Sequence, residues 1–409
     1  MGNKKLPLMA RQPILDRHLK VYGYELLCRP IPEDSLSWQQ AQGDEATREV
    51  LISAFNDVGI EHVTGGLPAF INFTHYWLHN PPTLPKKSFV AEILEHIEPT
   101  AENVAAIKTL HGKGYRLALD DYQGNPAQAV FFPYLHIVKV DLRLLNSLDE
   151  LPKIIQRYEN HQLMWLAEKV ETLEEYDFCK NAGCDLFQGY FFSQPSNVYG
   201  NRFLDNHIAV MQLLKVLNKE DATLEEVANV LKSDPQLCFK ILKVVNSAAF
   251  GMTREVASIQ QAVLFLGLNQ LKTWVNIIAL GKLNTKPQVL REHALVRALL
   301  CQNLVSLWPK LDKEMAFTVG LFSLLPGFLD IPLEEICKEL RLPEILTLAL
   351  TKKQGDYGIF LHIATAMEKG DWQHINWKAL EKIGIFPDKV EELYLDALKK
   401  AQGFLTQMV

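Results

Sequence analysis

Short apolar runs alternate with amphipathic stretches through the first half of the chain, and near residue 200 the pattern gives way to helical periodicity alone. The apolar runs are Met9–Leu15, Val21–Cys28, Ala69–Thr74, Phe89–Leu94, Arg116–Asp121, Ile137–Leu142, Met164–Val170 and Leu186–Phe192. Helical spacing marks Ala46–Val58, Ala101–Leu110, Glu150–Tyr158 and Thr172–Ala182 between them. Strands that alternate with helices in this way predict an α/β fold closed as a TIM-like (β/α) barrel. The second half predicts an all-α domain. Thr223 to Glu226 forms a capping box ahead of Leu224, Val227 and Leu231. Asp234-Pro235 opens a helix carrying Leu237, Ile241, Val244 and Val245. Ser258 caps a stripe of Ile259, Ala262, Val263 and Leu266, Gly267 breaks it, and Asn269 starts the next with Leu271, Trp274 and Val275. The polar, turn-rich stretch after Pro195 sets the boundary between domains 1–198 and 199–409, with the first helix beyond it starting near Leu204.

Polar residues interrupt the apolar strands at one recurring place. Glu25, Asn72, Glu92, Lys139, Glu168 and Gln188 each lie within or at the end of a strand, and Asp120 and Asp121 end RLALDDY. Any one of them alone reads as a turn opener or a structural ion pair. Neighbouring side chains of a strand point to opposite faces, so Asp120 and Asp121 can share a cleft only where the strand gives way to a loop. Strand C-termini of a barrel converge on one mouth, and charge gathered there must be paired or bound to metal. Carboxylates and an Asn, converging beside a Lys, make a hard-oxygen site suited to Mg²⁺ or Mn²⁺. Two such ions could clamp a phosphodiester for in-line attack by water.

Composition narrows the remaining classes. The net charge of -6 leaves no basic footprint, so no nucleic acid is expected as a partner. The six cysteines are scattered and form no CxxC pair, which argues against a disulfide framework. The N-terminal stretch has no apolar core of a signal peptide, and no run is long enough to span a membrane, so a cytoplasmic location is expected.

The order and spacing of GYELLCR, FINFT, AEILE, ALDDY, VKVD, AEKVET and GCDLFQGYFFSQP over residues 8–195 resemble the EAL domain of cyclic di-GMP phosphodiesterases. The resemblance implies that Glu25, Asn72, Glu92 and Asp120 bind one metal ion and that Asp120, Asp121 and Glu168 bind a second. Lys139 would position the attacking water, Arg29 and Gln188 would touch the dinucleotide, and Glu95 would anchor the loop after the paired aspartates. Glu171 would be a further carboxylate near the site. Three departures stand out. Leu26 replaces the small Ala of the signature, Lys169 follows Glu168 where the family has Gly, and Tyr122 to Pro126 replaces a glycine-rich loop. In the family that loop supports the second metal and the homodimer interface.

SDPQLCFKILKVVNSAAFG at 233–251 and SIQQAVLFLGLNQLKTWV at 258–275 resemble the HDOD domain, a relative of HD phosphohydrolases, with Asn246, Ser247, Phe250 and Gly251 as its most distinctive turn. No His-Asp dipeptide occurs in the chain, and GLFSLLPGF at 320–328 has Ser323-Leu324 where one is sought. The HDOD part is therefore expected to be a non-catalytic module that contacts a protein partner. The expected function is cyclic di-GMP signalling through a degenerate EAL domain that binds metal and nucleotide. The alternatives are an active phosphodiesterase and a scaffold that ignores nucleotide.

Overall fold

The computed structural model describes residues 8–29, 60–82, 86, 88–193, 259–281, 287–340 and 342–408, with isolated positions at 47, 214–219, 221–223, 225–227 and 245. The chain gathers into two compact units. One comprises Met1–Gln194 with Ala366–Glu392, and the other Pro195–Thr365 with Leu393–Val409.

The first unit contains a closed barrel of eight strands. They are β1 (Leu8–Asp16), β2 (Val21–Arg29), β3 (Ala69–Phe73), β4 (Phe89–Ile93), β5 (Arg116–Leu119), β6 (Ile137–Asp141), β7 (Met164–Val170) and β8 (Leu186–Gly189). Every strand expected from the apolar runs forms, most of them within a residue or two of the expected ends. The last run stops early, because Phe191–Ser193 turns into a short 3-10 helix. The barrel also departs from the all-parallel pattern, since β1 runs antiparallel to both β2 and β8. The cause is the link to β2. Asp16 to Lys20 is a tight turn in which the Leu19 amide donates to the Asp16 carbonyl at 3.0 Å. A parallel crossover needs a dozen or more residues, so this link permits only a hairpin.

The expected helices at 101–110, 150–158 and 172–182 form as α3 (Ala101–Gly112), α4 (Glu150–Arg157) and α5 (Leu173–Ala182), after the short α1 (Ile60–Thr64) and α2 (His75–His79). Thr172 and Glu175 make a reciprocal capping box at the start of α5. The helix expected over 46–58 lies outside the described residues apart from Thr47.

Inward-facing side chains stack in layers, as strand alternation requires. One apolar layer comprises Ile14, Phe70, Val90, Ala118, Ile137, Leu166 and Leu186, all buried. β2 contributes Gly23, where a Cβ would come within 2.9 Å of the Phe70 ring. The glycine thus makes room for the largest side chain of the layer. Two residues further toward the mouth, each strand presents its next inward residue. Those residues are Gln12, Glu25, Asn72, Glu92, Asp120, Lys139, Glu168 and Gln188.

The described elements of the second unit are all helices. The expected capping box is made, with the Glu226 amide donating to Thr223 Oγ1 at 3.2 Å and the Thr223 amide to Glu226 Oε2 at 2.8 Å. Ile259–Gly281 bends at Gly267, whose φ of 72 interrupts the helical path as expected. The helices Gln288–Leu304 and Lys313–Phe322 pack closely at Gly320, where a Cβ would lie 2.6 Å from the Ala298 Cα. The start near Leu204, Ser258 and the stretch 233–251 apart from Val245, with Asn246, Ser247, Phe250 and Gly251, lie outside the described residues. No described helix is long and apolar enough to cross a membrane.

Candidate metal centre

The polar layer is centred on Lys139, whose side chain is fully buried. Its Nζ lies 2.6 Å from Glu92, 2.7 Å from Asp120, 3.0 Å from Glu168 and 3.6 Å from Glu25. These are contact ion pairs by distance. Burial works against the charge of Lys139, yet Asp120, Glu168, Glu25 and Glu92 together outweigh it and raise the ammonium pKa well above its usual value. Burial also raises Glu92 and Glu168 well above the usual carboxylate range, although Lys139 opposes it in both.

The paired aspartates meet because β5 ends at Leu119. Asp120 still joins the sheet through its amide, which donates to the Ile93 carbonyl at 2.9 Å. Asp121 then takes a left-handed backbone with φ 43, a conformation Asp tolerates better than most residues. That turn brings ligand oxygens of Asp120, Asp121 and Glu95 within 4.8 Å of one another. Asp121 is pushed up to about 6 by burial first and by Asp120 and Asp141 next, with Lys169 and Lys139 opposing.

A divalent cation can be tested against this donor set. Asn72 Oδ1, both Glu92 oxygens, Asp120 Oδ1 and Glu168 Oε2 are buried without a hydrogen-bond partner among the described residues. Buried oxygens without hydrogen bonds are costly, and five carboxylates surround the Lys139 ammonium. Protons on the raised carboxyls or a bound cation balance that excess. Oxygen donors of this kind fit a hard divalent ion.

Most of the expected site residues are therefore brought together. Gln188 joins them, with its Nε2 donating to Glu25 Oε2 at 2.6 Å. Arg29 closes β2, and its side chain lies outside the described part. Glu95 stands beside the aspartates, and its carbonyl accepts from Gln128 Nε2 at 2.8 Å. Glu171 is exposed and pairs with Arg143 at 3.5 Å, and its amide donates to Glu175 Oε2 at 2.7 Å.

The loop after Asp121 follows a well-packed path without the family's glycines. Tyr122 is fully buried against Phe132, and its hydroxyl donates to Tyr158 at 3.3 Å. Gly124 supplies the one left-handed glycine, at φ 82, and Asn125 caps the 3-10 helix Pro126–Tyr134. Lys169 shows why a glycine suits its position. Its φ is 55, at a bulge where the register of β7 against β8 shifts. The lysine is put to use there, since its ammonium pairs with the buried Asp141. Lys169→Ala keeps the strain and loses the pair, so we expect the barrel to lose about 2 kcal/mol, less than for a fully buried pair because the lysine is largely exposed. Lys169→Gly relieves the strain and should recover about 1 kcal/mol of that. Urea unfolding of both variants checks the order.

Two site residues escaped the sequence reading. Gln12 completes the polar layer as the contribution of β1, and its signal was a lone amide within the apolar run Met9–Leu15. Asp141 carries the charge that Lys169 answers, and its signal was the VKVD motif itself.

The chain is similar in sequence to known proteins. The EAL domain family matches residues 3–195 and the HDOD domain family residues 207–326. The chain is 35% identical over 404 residues to "Uncharacterized protein YuxH" of Bacillus subtilis, covering 96% of this chain and 97% of that protein. It is 32% identical over 400 residues to "Cyclic di-GMP phosphodiesterase CdgJ" of Vibrio cholerae, covering 96% and 92%. Among solved structures, Bacillus subtilis YkuI, an EAL-domain protein in complex with c-di-GMP and calcium, is 18% identical with a TM-score of 0.37, covering 56% of this chain and 73% of that one. The Klebsiella pneumoniae BlrP1 manganese/cy-diGMP complex is 23% identical with a TM-score of 0.38, covering 47% and 56%. The chain belongs to the family of proteins that join an EAL domain to an HDOD domain.

Proposed function

We propose that the barrel is a divalent-metal-dependent phosphodiesterase that opens cyclic di-GMP to the linear dinucleotide, with Mg²⁺ or Mn²⁺ as the metal. The observation that carries this reading is the set of buried oxygens around Lys139 that accept no hydrogen bond, of which Glu92 Oε1 and Asp120 Oδ1 are held only by ion pairs to its ammonium. Glu25, Asn72, Glu92 and Asp120 would hold one ion, and Asp120, Asp121 and Glu168 the second. Such ions supply Lewis-acid charge and an activated water. Lys139 would orient that water and offset developing charge. Arg29 and Gln188 would hold the dinucleotide, and Glu95 would brace the loop that carries Asp121. The relative named as a cyclic di-GMP phosphodiesterase, similar along nearly the whole chain, supports the choice of substrate.

A second reading, nucleotide binding without turnover, is favoured by one observation. Asp121 reaches the site from a strained turn followed by a loop unlike the family's, and small displacements of a catalytic group cost most of a rate. Calorimetric titration of cyclic di-GMP with and without Mn²⁺ tests the common ground. Binding that requires Mn²⁺ supports both readings, and no binding under either condition would leave only a scaffold.

The pH dependence follows from the carboxylates. Asp121 is raised to about 6 in the folded protein, above its unfolded value. Its stabilising contribution is therefore complete below the unfolded pKa and is lost as pH rises through about 6. Metal-free protein should melt at a lower temperature at pH 7 than at pH 5, and Mn²⁺ should abolish the difference. Because a cation expels protons from its ligands, Mn²⁺ binding should release more protons at pH 6 than at pH 8. Calorimetry in buffers of different ionisation enthalpy measures that release.

The helical unit reads as a non-catalytic module for a protein partner. Where a His-Asp dipeptide is sought, Ser323 Oγ accepts from the buried Arg297 at 2.9 Å. A guanidinium fixed there opposes a cation.

A further inference from the structure

The segment Ala366–Glu392 lies beyond both family matches in sequence, yet it belongs to the same compact unit as the barrel. It meets the barrel beside Glu25. Gln12 Nε2 donates to the Lys369 carbonyl at 2.8 Å. Gln12 Oε1 accepts from Gln188 Nε2 at 3.0 Å, and the same nitrogen donates to Glu25 Oε2 at 2.6 Å. A continuous relay therefore joins the C-terminal segment to a carboxylate of the polar layer.

The far end of that relay is fixed at several points. The Tyr190 hydroxyl donates to the Glu368 carbonyl at 2.9 Å, and the Lys369 ammonium lies 4.8 Å from the centre of the Tyr190 ring. Gly370 has φ 66, and a Cβ there would come within 2.9 Å of Leu27 Cδ1, so the segment presses against the strand that carries Glu25. The Met9 amide donates at 2.9 Å to Glu391, a carboxylate that is only 1% exposed. These contacts fall on β1, β2 and the end of β8, the sector of the barrel that presents Gln12, Glu25 and Gln188.

We propose that Ala366–Glu392 is a positioning element of the metal centre, and that it sets the Glu25 carboxylate through Gln12 and Gln188. The inference rests on the metal-binding reading given above. One oxygen of Glu25 is tied by Gln188, which fixes how the other is presented. Partners that orient a metal-bound carboxylate typically change metal affinity by about 10–100-fold. The coupling is reciprocal, so metal must in turn steady the segment.

Mn²⁺ titration of the full chain tests this, together with amide hydrogen exchange. Gln12→Ala cuts the relay directly, Gly370→Val displaces the segment, and Lys389→Ala removes only an exposed pair with Glu392. We expect Mn²⁺ to bind about 10-fold more weakly to the first two variants and with unchanged affinity to the third. Exchange over residues 366–371 of the unaltered protein should slow when Mn²⁺ is added. Wild-type affinity in a folded Gln12→Ala protein, or exchange that ignores Mn²⁺, would overturn the proposal while leaving the metal centre standing. An unaltered protein that binds no Mn²⁺ would overturn the metal centre, and this inference with it.

Discussion

Lys139→Met is expected to destabilise the metal-free barrel by about 3–5 kcal/mol, because it leaves buried carboxylates without their cation. Glu92 is fully buried and Glu25 and Glu168 nearly so, so water cannot replace the lost ammonium. Methionine matches the length of lysine, which keeps any cavity small and isolates the charge. Adding Mn²⁺ should recover most of the lost stability, since the ion supplies positive charge to the same oxygens. Hydrolysis should nevertheless stay depressed by about 10²–10³-fold, the typical effect of removing one preorganised electrostatic contact. Thermal melts with and without Mn²⁺ and a rate measurement check the three parts. An unchanged metal-free melting temperature would mean that the carboxylates are not charged around the lysine.

Glu168→Gln is expected to behave in the opposite sense toward stability. Burial raises the Glu168 carboxyl well above its usual range, so the folded protein already resists its ionisation. A neutral amide removes that cost and should leave the metal-free barrel as stable as the unaltered protein, or more so. A ligand of the second ion would be weakened at the same time, and the hydrolytic rate should fall by about 10³-fold. The pair of variants thus separates stability from turnover. Lys139→Met lowers both, whereas Glu168→Gln lowers turnover alone. Urea unfolding and product formation, measured on the same preparations, check the contrast.

The barrel was legible in the sequence because its strands are short apolar runs interrupted by few polar residues. Periodicity exposes such interruptions directly. Glu25, Asn72, Glu92, Asp120, Lys139, Glu168 and Gln188 could be picked out one strand at a time, and the structure places them in a single layer above Phe70 and its neighbours. The antiparallel course of β1 was not legible as strand pairing, although the short link from Asp16 to Lys20 carried the information. Gln12 was overlooked for a related reason. A lone amide in an apolar run has no charge to advertise it, and its role depends on Lys369, which is 357 residues away. Lys169 looked like a defect in the motif. Its left-handed backbone and its pairing with Asp141 are both tertiary facts, invisible to local patterning. The loop from Tyr122 to Pro126 departs from the glycine-rich pattern, and sequence alone does not show what holds its turn. Burial of Tyr122 against Phe132 shows how packing can hold the turn that glycines would otherwise permit.

The most direct test of the account is product analysis after incubating the full chain with cyclic di-GMP and Mn²⁺. Chromatography separates the cyclic from the linear dinucleotide. The account predicts linear product that accumulates with time, vanishes when the metal is chelated, and is absent from the Glu25→Ala protein. Cyclic di-GMP that is bound in the presence of Mn²⁺ yet recovered intact would contradict it.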